Sequence, residues 1–191
     1  LKIINMYKVV FFLFVVFTAN LQAQEPTQIA VEKSVWGVQT GLLGIWAHNE
    51  SRLTSSVALR SELGFDGGFW GAGDTFDYAL LPVLRIEPRW YRNLNRRVRK
   101  GKSIAGNSAD FLSLKFALLP DLFSISSEDT IDVVSSAGVT FNAGMRRVYG
   151  QHFSFELGLG AGVAANLEEP YLSADPYYFL PDIFLRLGYS F

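Results

Sequence analysis

The 191-residue chain is 49% apolar, carries 17 basic and 18 acidic residues, and contains no cysteine. A formal net charge of −1 leaves no electrostatic footprint for nucleic acid, and the missing thiols exclude a disulfide framework, thiolate chemistry and a lipidated cysteine. No apolar stretch reaches the roughly eighteen positions that a membrane-crossing helix needs.

The first predicted element is a secretory leader. Residues 1–4 read as translated leader or a non-standard start, and the pattern proper begins at Met6, with Lys8 as its positive charge. Residues 9–17 form an apolar run too short to span a bilayer as a helix. Ala23 suits the small-residue position of a signal peptidase site, which predicts cleavage between Ala23 and Gln24. The chain then divides into a leader and signal peptide, 1–23, and one domain, 24–191. Losing Lys2 and Lys8 with the leader moves the net charge from −1 to −3.

Strands follow. Residues 34–47 have the length of one strand, although Gly37, Gly41 and Gly44 obscure its two faces, and a further strand is placed before it at 27–33. From 55 onward six segments sort their residues by parity: 55–69, 78–91, 111–122, 133–146, 153–165 and 177–191. Successive side chains leave a strand on opposite sides, so period two is the strand signature. The apolar sets of these segments hold 43 positions and no Asp, Glu, Lys or Arg, where 18% charged residues spread evenly would place about eight. The opposing sets carry Arg60, Glu62, Asp66, Arg85, Glu87, Arg89, Lys115, Asp121, Arg146, Glu156, Asp182 and Arg186, six basic against six acidic.

Glycine decides which set points inward. Gly64, Gly68, Gly138, Gly144, Gly158, Gly160, Gly162 and Gly188 all share the charged face. The interior of a barrel of about eight strands is barely wide enough for its own side chains, and small residues interleaved with mutually neutralising charges fill it. The bulky Leu, Phe, Val and Ile then face outward, with Trp70, Tyr78, Trp90, Tyr177 and Tyr189 toward strand ends, where interfacial aromatics belong. This predicts an all-β fold: a closed antiparallel up-and-down transmembrane barrel of about eight strands. Pro82, Pro88, Pro120 and Pro181 must sit at bulges or strand ends, because proline cannot donate to a ladder.

Ile183, Leu185, Leu187, Tyr189 and Phe191 are apolar and on the outward parity. These last residues resemble the terminal strand of bacterial outer-membrane β-barrels, and in pattern the chain is similar to the small OmpA/OmpX-like barrel class. The resemblance implies an outer-membrane location, with Tyr189 and Phe191 as a signal read by the barrel assembly machinery. It also implies contact with outer-membrane lipids and lipopolysaccharide, and a monomeric state. With both termini in the periplasm, loops 70–77, 123–132 and 166–177 face outside and 48–54, 92–108 and 148–152 face the periplasm. The outer set carries Asp74, Asp77, Glu128, Asp129, Asp132, Glu168, Glu169 and Asp175 without Lys or Arg. Loop 92–108 carries Arg92, Arg96, Arg97, Arg99, Lys100 and Lys102, and Leu94 and Val98 at i, i+4 predict a short amphipathic helix at the inner rim.

Little in the chain carries chemistry. The lumen charges read as a structural ion-pair network rather than a selectivity ring or proton path, since an eight-stranded lumen is filled by its own side chains. His152, Ser154 and Glu156 share one parity, and His152-Phe153-Ser154 resembles the His-x-Ser of outer-membrane lipid A deacylases over those three residues alone. No phosphate loop, metal cluster or nucleophile elbow is present. The sequence therefore predicts a non-enzymatic barrel with no cofactor and no metal, in a structural, anchoring or interaction role. The alternatives are a lipid-modifying barrel enzyme and a narrow passive channel.

Overall fold

The computed structural model describes residues 29–70, 77–127, 133–167 and 177–191. The predicted leader and its Ala23–Gln24 junction lie outside the described residues, as do Asp74, Glu128, Asp129, Asp132, Glu168, Glu169 and Asp175 of the predicted acidic loops. Eight long antiparallel strands form a closed wall: β1 (Ser34–Gly41), β2 (Gly44–Arg52), β3 (Val57–Trp70), β4 (Asp77–Tyr91), β5 (Asp110–Leu119), β7 (Ser136–Tyr149), β8 (Phe153–Asn166) and β9 (Tyr177–Ser190). A two-residue piece, β6 (Ile125–Ser126), pairs with β4 beyond the end of β5. Each strand pairs with its neighbours in sequence, and β1 pairs with β9 to close the ring. The closed, antiparallel, up-and-down β-barrel that the sequence predicts is what forms.

One expectation is corrected. Residues 29–33 are not a strand, and 34–47 is not one strand but parts of two. Gly41 pairs with Gly44 around a two-residue turn, Leu42-Leu43. That turn inverts chain direction, so the inward set is odd-numbered in β1 (Val35, Gly37, Gln39) and even-numbered in β2 (Trp46, His48, Glu50). The parity looked blurred because a reversal lies inside the segment.

At the lower end sit Ile29–Lys33, the 53–56 turn, the 92–109 connection, the Gly150 turn and the last residue. There the Phe191 backbone N–H donates to the Trp36 carbonyl at 2.9 Å. The wall is uneven at the top. The ladder of β9 with β1 ends at Arg186, and that of β3 with β2 ends at Asp66, although both β9 and β3 continue upward. The short β1–β2 hairpin thus leaves a notch in the upper wall, with Leu42 and Leu43 exposed at its floor.

The prolines fall where ladders are missing. The β4–β5 register skips Glu87 and Pro88, Pro82 lies beyond the last β4–β5 pair, Pro120 follows β5, and Pro181 lies above the β1–β9 ladder. Pro82 and Pro181 have no partner strand on the side of the missing N–H, whereas Pro88 lies opposite Leu114 of β5 and interrupts that ladder without a bulge, the register being the same on either side.

Register also sets bulky inward side chains opposite glycines. Trp46 faces Gly64, His48 faces Gly37, Phe111 faces Gly144, Phe184 faces Gly158 and Gln39 faces Gly188. A Cβ on Gly158 would lie 2.3 Å from Cζ of Phe184, and one on Gly37 would lie 2.7 Å from Cε1 of His48. The glycines on the charged face are therefore the spaces into which neighbouring rings and amides lie.

Candidate functional site: the charged lumen

The inward parity delivers ionised side chains from seven of the eight wall strands into one interior. Arg60, Arg89, Arg146, Glu50 and Glu156 are completely buried. The Glu50 carboxylate is the hub of its lower half. Oε1 accepts from Arg60 at 3.3 Å and Arg89 at 3.1 Å and lies 3.6 Å from Arg146 Nη1, while Oε2 accepts from the Tyr91 hydroxyl at 2.7 Å and Asn107 Nδ2 at 2.8 Å. Glu156 binds Arg146 and accepts from Arg89 through both oxygens at 3.2 Å and from Gln39 Nε2 at 3.1 Å.

Higher in the lumen, Glu62 accepts from Arg60 at 2.8 Å, Arg85 at 2.6 Å and Arg186 at 2.7 Å. Arg85 also pairs with Asp66, whose carboxylate accepts from Trp46 Nε1 at 2.8 Å. Glu87 accepts from Arg89 at 2.9 Å and the Ser113 hydroxyl at 2.6 Å. Lys115 and Asp182 form a separate pair at 2.7 Å, with the Thr140 hydroxyl donating to the same carboxylate. Guanidinium groups stack as well as pair: Arg89 lies 4.3 Å from the centre of the Phe111 ring and Arg186 4.6 Å from that of Trp46. Each carboxylate thus meets several donors, the condition under which a desolvated ion is tolerated.

Eleven of the twelve predicted lumen charges come together in this way, and Asp121 does not. It follows Pro120, past the end of β5, and is exposed, because the strand stops before the parity count reaches it. Glu50 takes its place in the balance, so the lumen still holds six cations and six anions. Glu50 is absent from the predicted set because the sequence places 48–54 in a loop. The even-numbered set Trp46, His48 and Glu50 was the signal that β2 continues.

Two further lumen residues escaped notice. Gln39 links the two halves, its amide oxygen accepting from Arg60 Nη2 at 2.6 Å while its nitrogen donates to Glu156. Asn107 enters from the 92–109 connection with Gly106 and itself at positive φ, 57° and 62°. Its Oδ1 accepts from the Glu32 N–H at 2.7 Å, Glu32 accepts from the Gly106 N–H at 2.8 Å, and Arg146 Nε donates to the Gly106 carbonyl at 2.7 Å. With Val31, Leu94 and Ala109 buried beside it, this segment covers the lower mouth. His48 is buried as well, with neither ring nitrogen hydrogen-bonded.

The structure separates the His-x-Ser candidates. His152 lies in the lower turn, its ring stacked on Tyr189 at 4.8 Å and its Nδ1 2.8 Å from the Ser190 carbonyl oxygen. Ser154 is sealed in the lumen, where Gln39 Nε2 approaches its Oγ at 3.5 Å, and Glu156 is held by arginines. Among the described residues no hydrogen bond joins His152 to Ser154. Tyr189 and Phe191 face outward in edge-to-face contact at 5.5 Å. In the basic connection a six-residue helix, α1 (Leu94–Arg99), forms inside the predicted span. It buries Leu94 and leaves Val98 exposed.

Among the described residues no helix is long and apolar enough to cross a membrane, and no cluster of His, Asp and Glu has the arrangement of a metal site. Comparison with family models, with curated proteins and with solved structures gives no match.

Proposed function

We propose that the chain is an integral outer-membrane β-barrel protein without catalytic activity, whose role is structural, anchoring or interactive. The observation that carries this reading is an inverted distribution of side chains. Arg60, Arg89 and Arg146 are 0% exposed, while Leu159, Phe191 and Ile183 are 66%, 75% and 82% exposed. Water would favour the reverse arrangement; lipid favours this one, since a charge on the outer face near the bilayer midplane costs about 2–4 kcal/mol.

Outward aromatics support the same reading. Trp36, Trp90, Tyr149, Phe153, Tyr189 and Phe191 ring the lower end, and Tyr78, Tyr177 and Phe179 lie near the top. Amphipathic rings at two levels are what two membrane–water interfaces select. On this reading the partners are outer-membrane lipids, lipopolysaccharide and, during biogenesis, the barrel assembly machinery acting on Tyr189 and Phe191. The protein is a monomer made from a cleaved precursor. The closed ion-pair network and the covered lower mouth favour a filled interior over a conducting one.

The test is to express the full chain with its leader, extract outer-membrane fractions with detergent, and compare cold and boiled samples on denaturing gels. A folded membrane barrel resists the detergent until heated, so the cold sample migrates differently. Identical migration, or recovery only in the soluble fraction, overturns the proposal.

A further inference from the structure

Two hollows meet on the outside of the barrel at its lower end. The larger, about 570 Å³, is a groove on the exterior of β5, β7, β8 and β9. It lies over one register row, Leu112–Ala143–Leu159–Ile183, in which the short side chain of Ala143 makes the depression, with Met145 and Leu157 below it. The smaller, about 190 Å³, is walled by Arg96, Arg97, Lys100 and Lys102 of the α1 segment together with Asn93. Asp110 and Arg147 belong to both, so the apolar groove runs directly into a cationic recess.

The recess has charge to spare. Its single carboxylate, Asp110, is already occupied by Arg147 and Asn93. Arg97 donates to the Ser103 carbonyl from Nε at 3.1 Å and Nη2 at 2.8 Å, which fixes the turn of the connection. Arg96, Lys100 and Lys102 are exposed and form no ion pair among the described residues. From Arg147 to Ala143 the strand runs roughly 13 Å at about 3.3 Å per residue, about 10 Å along the barrel axis at the usual tilt of roughly 40°. One leaflet's share of a roughly 30 Å hydrocarbon core is about 15 Å. A head recess and a tail groove are therefore stacked within the length of a single lipid.

We propose that this exterior site holds one anionic phospholipid. Its phosphate lies among Arg96, Lys100, Lys102 and Arg147, and one acyl chain lies along the groove over Ala143. Charge complementarity selects the headgroup, and the contiguous groove selects an amphiphile over a free phosphate. The inference rests on the membrane reading, because it places the recess at headgroup depth. It adds a specific, saturable site to what would otherwise be a uniform lipid annulus.

The experiment reconstitutes the full chain into vesicles of phosphatidylcholine and phosphatidylglycerol in equal parts, then counts retained lipids by native mass spectrometry after gentle detergent release. Wild-type protein is expected to retain one phosphatidylglycerol in preference to phosphatidylcholine. Arg96→Gln, Lys100→Gln and Lys102→Gln should each lower that retention about fivefold, the effect of one cation at an anionic surface. Ala143→Phe, which fills the groove without touching a charge, should also lower it. Arg99→Gln, a cation outside the recess, should not. Equal retention of both lipids by wild type, or a triple glutamine variant that behaves as wild type, overturns the site. Retention unchanged by Ala143→Phe overturns the paired head-and-tail geometry. Flotation with pure phosphatidylcholine vesicles separates the two levels: failure to float rejects the membrane reading and this site with it, whereas flotation without lipid preference rejects the site alone.

Discussion

Glu50 and Asn107, 57 positions apart in the chain, are joined by a 2.8 Å hydrogen bond that ties the ionic lumen to the segment beneath it. Through that bond the covering segment is part of the interior network rather than a flap laid over it. The same carboxylate serves Arg60, Arg89 and Arg146, so one residue compensates three desolvated cations and anchors the lower closure.

Replacing Glu50 with Gln should therefore be among the costliest single changes, about 3–5 kcal/mol, because buried guanidinium groups lose a compensating charge. Asn107→Ala should cost less, about 2–3 kcal/mol, for the lost hydrogen bonds to the Glu50 carboxylate and from the Glu32 N–H. Asp121→Asn should stay within about 0.5 kcal/mol, as an exposed site outside the network does. Urea midpoints in detergent or vesicles would rank the three. Equal midpoints for Glu50→Gln and Asp121→Asn would contradict the hub assignment.

Gly158 gives a packing test. A Cβ there lies 2.3 Å from Phe184 and 2.8 Å from the Ala143 carbonyl oxygen, so Gly158→Ala should destabilise by about 1–3 kcal/mol. Adding Phe184→Leu should return part of that loss, since the smaller side chain withdraws from the new methyl. Additive effects in the double variant would mean that the two positions do not share the space described.

The Leu42-Leu43 turn separates the two possible surroundings of the wall. In water a hairpin tip accepts polar residues readily, and Leu42→Asp with Leu43→Asn would be neutral or would improve solubility. In hydrocarbon the same pair should reduce the folded, heat-modifiable fraction, the carboxylate costing up to about 2 kcal/mol. An unaffected fraction would place the hairpin tip in water.

His152→Ala should leave lipid A acylation unchanged in mass spectra of outer-membrane extracts, since His152 is occupied with Ser190 and Tyr189 and Ser154 is sealed inside. Retention of an acyl chain that the wild-type strain removes would restore the enzymatic alternative. In planar bilayers wild-type protein should carry no discrete current. A steady conductance that shifts on Glu87→Gln would show a continuous path past the charges.

Much of this architecture was legible as a two-residue period. The parity of 55–69 and 78–91 named Arg60, Glu62, Arg85, Glu87 and Arg89 as inward because a charge at one strand position constrains all the others on that strand. What the period could not carry was the position of reversals. Gly41-Leu42-Leu43-Gly44 has none of the Asn-Gly or Asp-Gly chemistry that marks a hairpin, so the sequence reads β1 and β2 as one strand and places Glu50 in a loop. Asp121 erred in the opposite sense: parity was extended past Pro120, where the strand had ended. Gln39 and Asn107 were invisible for a different reason, since uncharged amides acquire their role only from what surrounds them in space.

The seam between first and last strands has a consequence for how the ring opens and fastens. β1 and β9 are zipped together over Gly37–Gly41 against Arg186–Ser190, with the Phe191 N–H bond to Trp36 below, whereas β8 and β9 are paired from Phe153 to Ala165. Sub-global opening is favoured where few bonds are shared, so backbone amides at Val38 and Leu187 should exchange with deuterium sooner than those at Glu156 and Gly158, which face β9. The meeting of first and last strands is thus where the closed wall should come undone first.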